Sequence, residues 1–301
     1  YVAWGIKHKA DIEELVLQYS AVLFRGFPID TPTTFTDFIE GLNVENYPYV
    51  CMSGPPCSPL AHPAPFSRVV TANESPPEAV IPYHHELSQV PSPPLSLFFY
   101  CDIPAPAGGE TPILLSHRVM DKLEASHPEF AAKLESLGVQ YIRVMPEEDD
   151  PESAIGRSWK STFQTTTREG AEKKMAEAGT SWKWNDDGTL WTQTATVPAV
   201  RVNLRTGKKA FFNSAVAAYT GWTDSRNDGK KAVRFGDGTP VDVDGMEAAI
   251  KYMEEETVAY PWEHKDMIYI CNRSCMHARR PFTPPRRILA SIGASTVDGA
   301  K

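Results

Sequence analysis

Features typical of membrane, secreted and nucleic-acid-binding proteins are missing from this sequence. It holds no run of about 18 apolar residues, the length that a membrane-spanning helix requires, and its first residues lack the apolar core of a secretory signal. The formal net charge is -8, so there is no basic excess of the kind that binds nucleic acid. We therefore expect no membrane and no nucleic-acid partner, and a cytoplasmic location. Because the sequence opens without Met, organelle targeting is not excluded.

Cysteine is scarce, which excludes two further classes. The five cysteines are odd in number and form no C-x-x-C motif, which argues against a disulfide scaffold and a zinc knuckle. We expect most of them to be reduced thiols, with two in core strands (Cys101 and Cys271).

The composition is that of an ordinary globular protein, with 42% hydrophobic and 23% charged residues. The 301 residues could form one large domain or two small ones. No repeat, linker or low-complexity tract divides the chain, so we predict a single domain over 1–301. An acidic, Trp-rich stretch at about 146–195 has the character of an insertion between halves of the core, and the Pro-rich stretch 48–65 that of a loop or lid.

Short apolar runs punctuated by Pro and Gly dominate the chain and predict β-strands. Helical spacing appears on either side of them. The predicted fold class is therefore mainly β with flanking helices (α+β). The predicted helices lie near 10–19, 33–43, 116–138 and 245–255, and the clearest predicted strands near 21–27, 80–89, 95–103 and 266–272.

One cluster of polar residues stands inside the strand-like run IPYHHELSQ. Side chains alternate along a strand, so His84 and Glu86 should project to one side and His85 to the other. A second histidine would complete a two-histidine, one-carboxylate face, which leaves positions open on Fe(II). His277 is the best candidate, because it follows the strand-like run DMIYICN and strands from both ends of a chain can pair in a barrel.

The H-x-E pattern alone is weak, because it occurs by chance in many proteins. Two further motifs strengthen it. GGET at 108–111 is followed by Pro, and beyond His277 the run RPFTPPRRILASI places Arg286 and Arg287 at the start of a strand. A buried Arg needs an anionic partner, and its planar fork suits a carboxylate such as those of 2-oxoglutarate.

Taken in order, HHELS, PLSLFFYC, PAPAGGETPI and HARRPFTPPRRILAS resemble the TauD/TfdA branch of 2-oxoglutarate oxygenases, especially its clavaminate synthase-like members of plants. The likeness covers most of the chain. It implies a double-stranded β-helix (jelly-roll) core, Fe(II) at His84, Glu86 and His277, and 2-oxoglutarate contacts from Thr111 and an Arg after the last His. It also implies an enzyme that decarboxylates 2-oxoglutarate to succinate and uses dioxygen to hydroxylate, desaturate or cyclise a small organic substrate.

The resemblance also guides a choice between the two arginines. In the taurine-dioxygenase pattern P-x-R-R the second Arg meets the cosubstrate, so we predict Arg287, with Arg286 facing away. Where the taurine enzyme has a further Arg four residues on, this sequence has Ser291. A sulfonate substrate is therefore not expected.

Substrate contacts are predicted at four positions: Asn73, Asn213, Arg279 and Arg280. Each has an alternative structural reading, because such residues also cap turns, pair on the surface or satisfy buried backbone groups. Thr111 could likewise simply close the Gly108–Gly109 turn.

Other classes remain as alternatives to an oxygenase. A cupin-like metal protein would not need the pair of Thr111 and Arg287, and a catalytically silent family member would be expected to lose a ligand. Glu86 argues against a halogenase, in which chloride replaces the carboxylate. The oligomeric state is left open.

Overall fold

The computed structural model describes residues 2–47, 68–72, 75–90, 92–204 and 206–296. Its helices are α1 (Val2–Tyr19), α2 (Pro32–Gly41), α3 (Ser116–Ser126), α4 (Pro128–Leu137), α5 (Trp159–Phe163), α6 (Arg168–Glu177), α7 (Ala215–Gly221) and α8 (Val243–Glu255), with a 3-10 turn at Gly229–Lys231. Its strands are β1 (Ala21–Phe24), β2 (Val70–Thr71), β3 (Ile81–His84), β4 (Ser96–Ile103), β5 (Ala107–Gly108), β6 (Ile113–Leu115), β7 (Val139–Met145), β8 (Ser181–Trp184), β9 (Leu190–Gln193), β10 (Val200–Val202), β11 (Lys209–Phe211), β12 (Val233–Phe235), β13 (Met267–Cys271), β14 (Cys275–Arg279), β15 (Phe282–Thr283) and β16 (Arg287–Gly293).

The largest sheet has five antiparallel strands in the order β1-β13-β4-β16-β2. Both faces of β4 are covered, so its sequence SLFFYCDI is a nearly continuous apolar run. Phe98 and Tyr100 pack toward α1 and α2. Leu97 and Cys101 point the other way and pack with Cys275 of a second sheet.

That second sheet has three antiparallel strands in the order β3-β14-β6. It brings together strands that are nearly 200 residues apart in sequence, since β3 precedes most of the chain and β14 lies near its end. The two sheets lie face to face and α3, α7 and α8 pack outside the second one, around a core that includes Leu114 and Met276. This agrees with the predicted mainly β architecture with flanking helices.

The helix predicted over 116–138 is divided in two. α3 ends at Ser126, and α4 begins at Pro128, which cannot supply the N–H that a continuous helix would need there. Gly138 ends α4 with φ +64, as its position after the helical pattern indicated.

The stretch predicted as an insertion forms α5, α6, β8 and β9. β9 pairs with both β8 and β7, so this stretch extends a four-stranded sheet of order β12-β7-β9-β8. A small core fills it, built on Met145, Trp159 and Leu190. That the whole chain is one domain stays a prediction.

Some predicted features fall outside the described residues, namely the 48–65 loop, Cys51, Cys57 and Asn73. Cys101, Cys271 and Cys275 are free thiols, and Cys101 lies in β4 and Cys271 in β13 as expected. In the described part of the chain, no helix has both the length and the apolar character needed to cross a membrane.

Candidate metal and cosubstrate site

The pairing of β3 with β14 brings two histidines together. His84 is the last residue of β3, and its Cα partner on β14 is His277. Their ring centroids are 4.3 Å apart. Glu86 lies two residues after His84, and its Oε2 is 3.6 Å from the Nε2 of each histidine. One atom from each of the three residues lies within 4.8 Å of the others, a spacing that suits a single metal ion.

Glu86 is held in place by hydrogen bonds to its backbone rather than by the geometry of a strand. β3 ends at His84, so Glu86 lies in the following turn rather than on the strand. The side chain of Asn272 clamps this turn: its Oδ1 accepts from the Glu86 N–H at 2.8 Å and its Nδ2 donates to the Glu86 carbonyl at 3.0 Å. Asn272 is fully buried, so the clamp is shielded from water. The predicted direction of Glu86 is right, but its cause is the turn.

The electrostatics of the trio favour a bound cation. Burial raises the pKa of Glu86, but contacts with His277 and His84 lower it more, so the net shift is downward and the carboxylate is ionised. Burial and the neighbouring His84 lower the pKa of His277 to about 4, so its ring is neutral near pH 7. Burial lowers the pKa of His84, but contacts with the Glu86 carboxylate and the Pro82 carbonyl raise it more, so the net shift is upward. Its Nδ1 is 2.8 Å from the Pro82 carbonyl, which fixes an N–H there and directs Nε2 toward Glu86.

His85 points away from the trio, as the alternation predicts. It is fully buried, stacks on Phe212 with ring centroids 4.3 Å apart, and places its Nδ1 2.6 Å from the Asn272 carbonyl. Burial lowers its pKa to about 3, so the ring is neutral. Its contacts are those of a structural residue.

A cavity of about 760 Å³, partly open to solvent, contains the trio and also Thr111 and Arg286. The Arg286 Nε donates to the Gly109 carbonyl at 2.9 Å. Thr111 accepts at its Oγ1 from the Nε1 of Trp262 at 3.1 Å and from Arg286 at 3.5 Å. Both contacts use the Thr111 oxygen as acceptor.

Arg287 was predicted to bind the cosubstrate, but it does not line this cavity. Its guanidinium pairs with Asp102 and its side chain is 47% exposed. Arg286 precedes β16, and the pairing of β16 with β4 shifts register between Arg287 and Ile288. Arg286 and Ile288 line the cavity, while Leu289 packs into the core beneath α1 and α2. The predicted placement of Arg287 is therefore wrong, because Arg286 rather than Arg287 borders the cavity.

Of the two arginines predicted to contact substrate, one lies at the metal cavity and the other does not. Arg279 borders the cavity, but its guanidinium donates to three backbone carbonyls, those of Ser75, Pro76 and Ala79. Arg280 is exposed and borders a different cavity.

Asn213 is fully buried away from the cavity, where its Nδ2 donates to the Ala199 carbonyl and its Oδ1 accepts from the Ala215 N–H. Its structural reading is the one that the contacts support. Asn73 lies outside the described residues.

Three residues of this site were missed in the sequence: Asn272, Trp262 and Gly109. Asn272 was hidden because an Asn after a strand is an ordinary turn signal. Trp262 offered no local pattern. Gly109 has φ +74 and faces Arg286, and the doubled glycine of GGET was the one available sign of a close backbone approach.

Comparisons with known proteins agree on the family. Residues 3–292 match the taurine catabolism dioxygenase TauD, TfdA family. A clavaminate synthase-like protein of Arabidopsis thaliana is 46% identical over 281 residues, covering 93% of this chain and 83% of that protein.

Solved structures extend the likeness to the fold. A taurine dioxygenase from Burkholderia xenovorans matches with a TM-score of 0.53 and 15% identity, covering 97% of this chain and 83% of that one. An asparagine oxygenase in complex with Fe(II), 3-hydroxyasparagine and succinate matches with a TM-score of 0.55 and 13% identity, covering 97% and 79%. At these identities the structures show the jelly-roll fold alone, and they confirm the predicted fold class. The chain therefore belongs to the TauD/TfdA family of iron(II)- and 2-oxoglutarate-dependent dioxygenases.

Proposed function

We propose that this enzyme holds Fe(II) with His84, Glu86 and His277 and oxidises a small organic substrate by hydroxylation, desaturation or cyclisation. The observation that carries the proposal is the placement of one carboxylate oxygen 3.6 Å from two imidazole Nε2 atoms inside a cavity. One carboxylate and two imidazoles are the donor set that non-haem iron takes in oxygenases. When bound, iron and 2-oxoglutarate supply the oxidising chemistry, with release of succinate.

We assign the 2-oxoglutarate contacts to Arg286 and Thr111. Burial and the nearby Arg279 charge lower the pKa of Arg286 to about 10, so its guanidinium is still charged at neutral pH. The Gly109 carbonyl and the Thr111 hydroxyl accept from it and fix its direction, but neither neutralises it. A carboxylate in the cavity would satisfy both the Arg286 charge and the Thr111 hydroxyl.

We propose further that the substrate portion near the metal is uncharged. Arg279 donates to three backbone carbonyls, and the position four residues after Arg286 is Ala290, which lines the cavity. The remaining wall is mostly apolar, with Ile81, Phe99 and Ile292. Ala290 and Ser291 also line the cavity, at the spacing where the sequence comparison places a sulfonate-binding Arg, and neither side chain offers a cation.

Succinate release under air, with Fe(II) and 2-oxoglutarate, tests the proposal across a panel of neutral organic compounds, amino-acid derivatives, other carboxylates and taurine. We expect stimulation by neutral compounds or by compounds with a long uncharged portion, and loss of stimulation in His84→Ala and His277→Ala. Strongest stimulation by taurine would refute the substrate assignment. Undiminished turnover in the two histidine variants would refute the metal assignment.

A further inference from the structure

A second cavity lies away from the metal, between β10 and the turn that joins β13 to β14. It encloses about 980 Å³ including open solvent, and it shares no lining residue with the metal cavity. Its wall combines apolar side chains, among them Leu95, Val202 and Phe212, with two arginines, Arg201 and Arg273. The proposed oxygenase reaction uses none of these residues.

The two arginines are close enough to repel each other. Burial lowers the pKa of Arg201, and the charge of Arg273 lowers it further. The Arg201 guanidinium carbon is 4.9 Å from the centre of the Phe212 ring, so the aromatic face supports one side of the cation. Neither arginine forms an ion pair or a hydrogen bond with any described residue, and both are partly buried.

This lack of partners distinguishes the pair from the other partly or fully buried arginines that the structure describes. Each of those others donates to a backbone carbonyl or a carboxylate, because a desolvated guanidinium without an acceptor is costly. They are Arg68, Arg143, Arg157, Arg226, Arg279 and Arg286. Arg201 and Arg273 line the second cavity without such an acceptor among the described residues.

We propose that this second cavity binds an organic oxyanion, with a carboxylate or phosphate group between Arg201 and Arg273 and an apolar portion against the neighbouring wall. Two planar guanidinium groups match the oxygen atoms of either anion, and an anion removes their mutual repulsion. The apolar portion is inferred from the rim, where Val202 is 51% and Leu204 90% exposed. Large apolar side chains so exposed beside two cations suit an amphiphilic ligand.

Isothermal titration calorimetry at fixed ionic strength tests this site. The protein is first loaded with Mn(II) and N-oxalylglycine, a pair that a solved structure similar to this chain holds, so that the metal cavity is filled. The probes are octanoate, octyl phosphate, inorganic phosphate and octanol. We expect octanoate or octyl phosphate to bind once per chain and on the order of tenfold more tightly than octanol or inorganic phosphate. The stronger of the two identifies the anionic group.

The variants are matched in chemistry. The double substitution Arg201→Gln and Arg273→Gln should weaken probe binding by roughly tenfold or more, since it removes both charges and keeps hydrogen-bonding side chains. Arg234→Gln, at an exposed position on β12, should leave binding unchanged. Both single Gln variants are measured as well, so a double variant that fails to fold does not end the test.

Three results would overturn the proposal. The first is the failure of every anionic probe to bind. The second is octanol or inorganic phosphate binding as tightly as the amphiphilic anions. The third is unchanged probe binding after loss of both arginine charges.

Discussion

At the scale of single residues, Arg286 and Arg287 are adjacent and chemically identical, but their side chains have different partners. Arg286 is directed into the metal cavity by the Gly109 carbonyl, whereas Arg287 pairs with Asp102 at the surface. A desolvated guanidinium that meets a carboxylate contributes far more binding free energy than one in an exposed pair. The two arginines should therefore respond very differently to substitution.

We expect Arg286→Gln to raise the 2-oxoglutarate concentration needed for half-maximal activity by at least roughly tenfold, because loss of such a charge pair costs about 2 to 5 kcal/mol. Arg287→Gln is the matched control and should change it little, since surface pairs are worth about 0 to 1 kcal/mol. Succinate release as a function of 2-oxoglutarate concentration measures both. Equal effects of the two substitutions would remove Arg286 from the cosubstrate site.

Gly109 is predicted to be essential for the position of Arg286. A Cβ added there would lie 2.8 Å from Arg286 Cδ and 2.9 Å from its Nε, so Gly109→Ala should displace the guanidinium and raise the 2-oxoglutarate requirement without changing iron affinity. Gly238→Ala is the control, because Gly238 also has positive φ but its added Cβ would meet nothing within 4 Å. It should lower the free energy of unfolding alone. A raised 2-oxoglutarate requirement in both variants would mean that backbone strain, rather than Arg286, is responsible.

At the scale of elements, the metal site depends on two pieces of chain that meet only in the folded sheet. β3 and β14 supply the histidines, and the turn after β3 supplies Glu86. Asn272, in the turn between β13 and β14, connects them, because its side chain bonds the Glu86 backbone and its carbonyl lies against His85. A fixed direction of Glu86 thus requires Asn272.

Asn272→Ala should weaken Fe(II) binding by on the order of 10- to 100-fold, the range seen when groups that orient metal ligands are removed. Asn227→Ala is the control, because the Asn227 side chain bonds the backbone N–H and carbonyl of Val144 in the same way. Neither residue is near the metal ligands in the sequence. Both variants should lose stability, but only Asn272→Ala should lose metal affinity in an Fe(II) titration. Equal metal affinity in the two variants would show that Asn272 supports the fold alone.

The sequence predicted elements whose apolar residues recur with a helical or strand period. It did not predict features that depend on contacts between residues far apart in the chain. Alternation placed His85 away from His84, and apolar spacing predicted the stretches that hold α2, α3, α4 and α8, whereas α5 and α7 were not predicted. The local sequence could not show which of Arg286 and Arg287 faces the cavity, because the two differ only in what the rest of the fold places beside them. The clamp at Glu86 was invisible for the same reason, since Asn272 lies 186 residues from it.

At the scale of the whole molecule, the fold serves to bring distant motifs into one cavity. HHELS, GGET and the run after His277 lie in separate parts of the sequence, and the fold brings His84, Thr111 and Arg286 to the lining of one cavity. The motifs were recognisable together because their order resembles a family, while their geometry required the structure.

The central claim is that the His84, Glu86 and His277 trio and Arg286 together hold iron and 2-oxoglutarate. Anaerobic titration with Fe(II) and 2-oxoglutarate tests it directly, because the iron chelate has a weak visible charge-transfer band. We predict that the band appears in the unaltered protein, is absent in His277→Ala, and needs more 2-oxoglutarate in Arg286→Gln than in Arg287→Gln. Failure of the band to form in the unaltered protein, or a band of equal strength in His277→Ala, would contradict the claim.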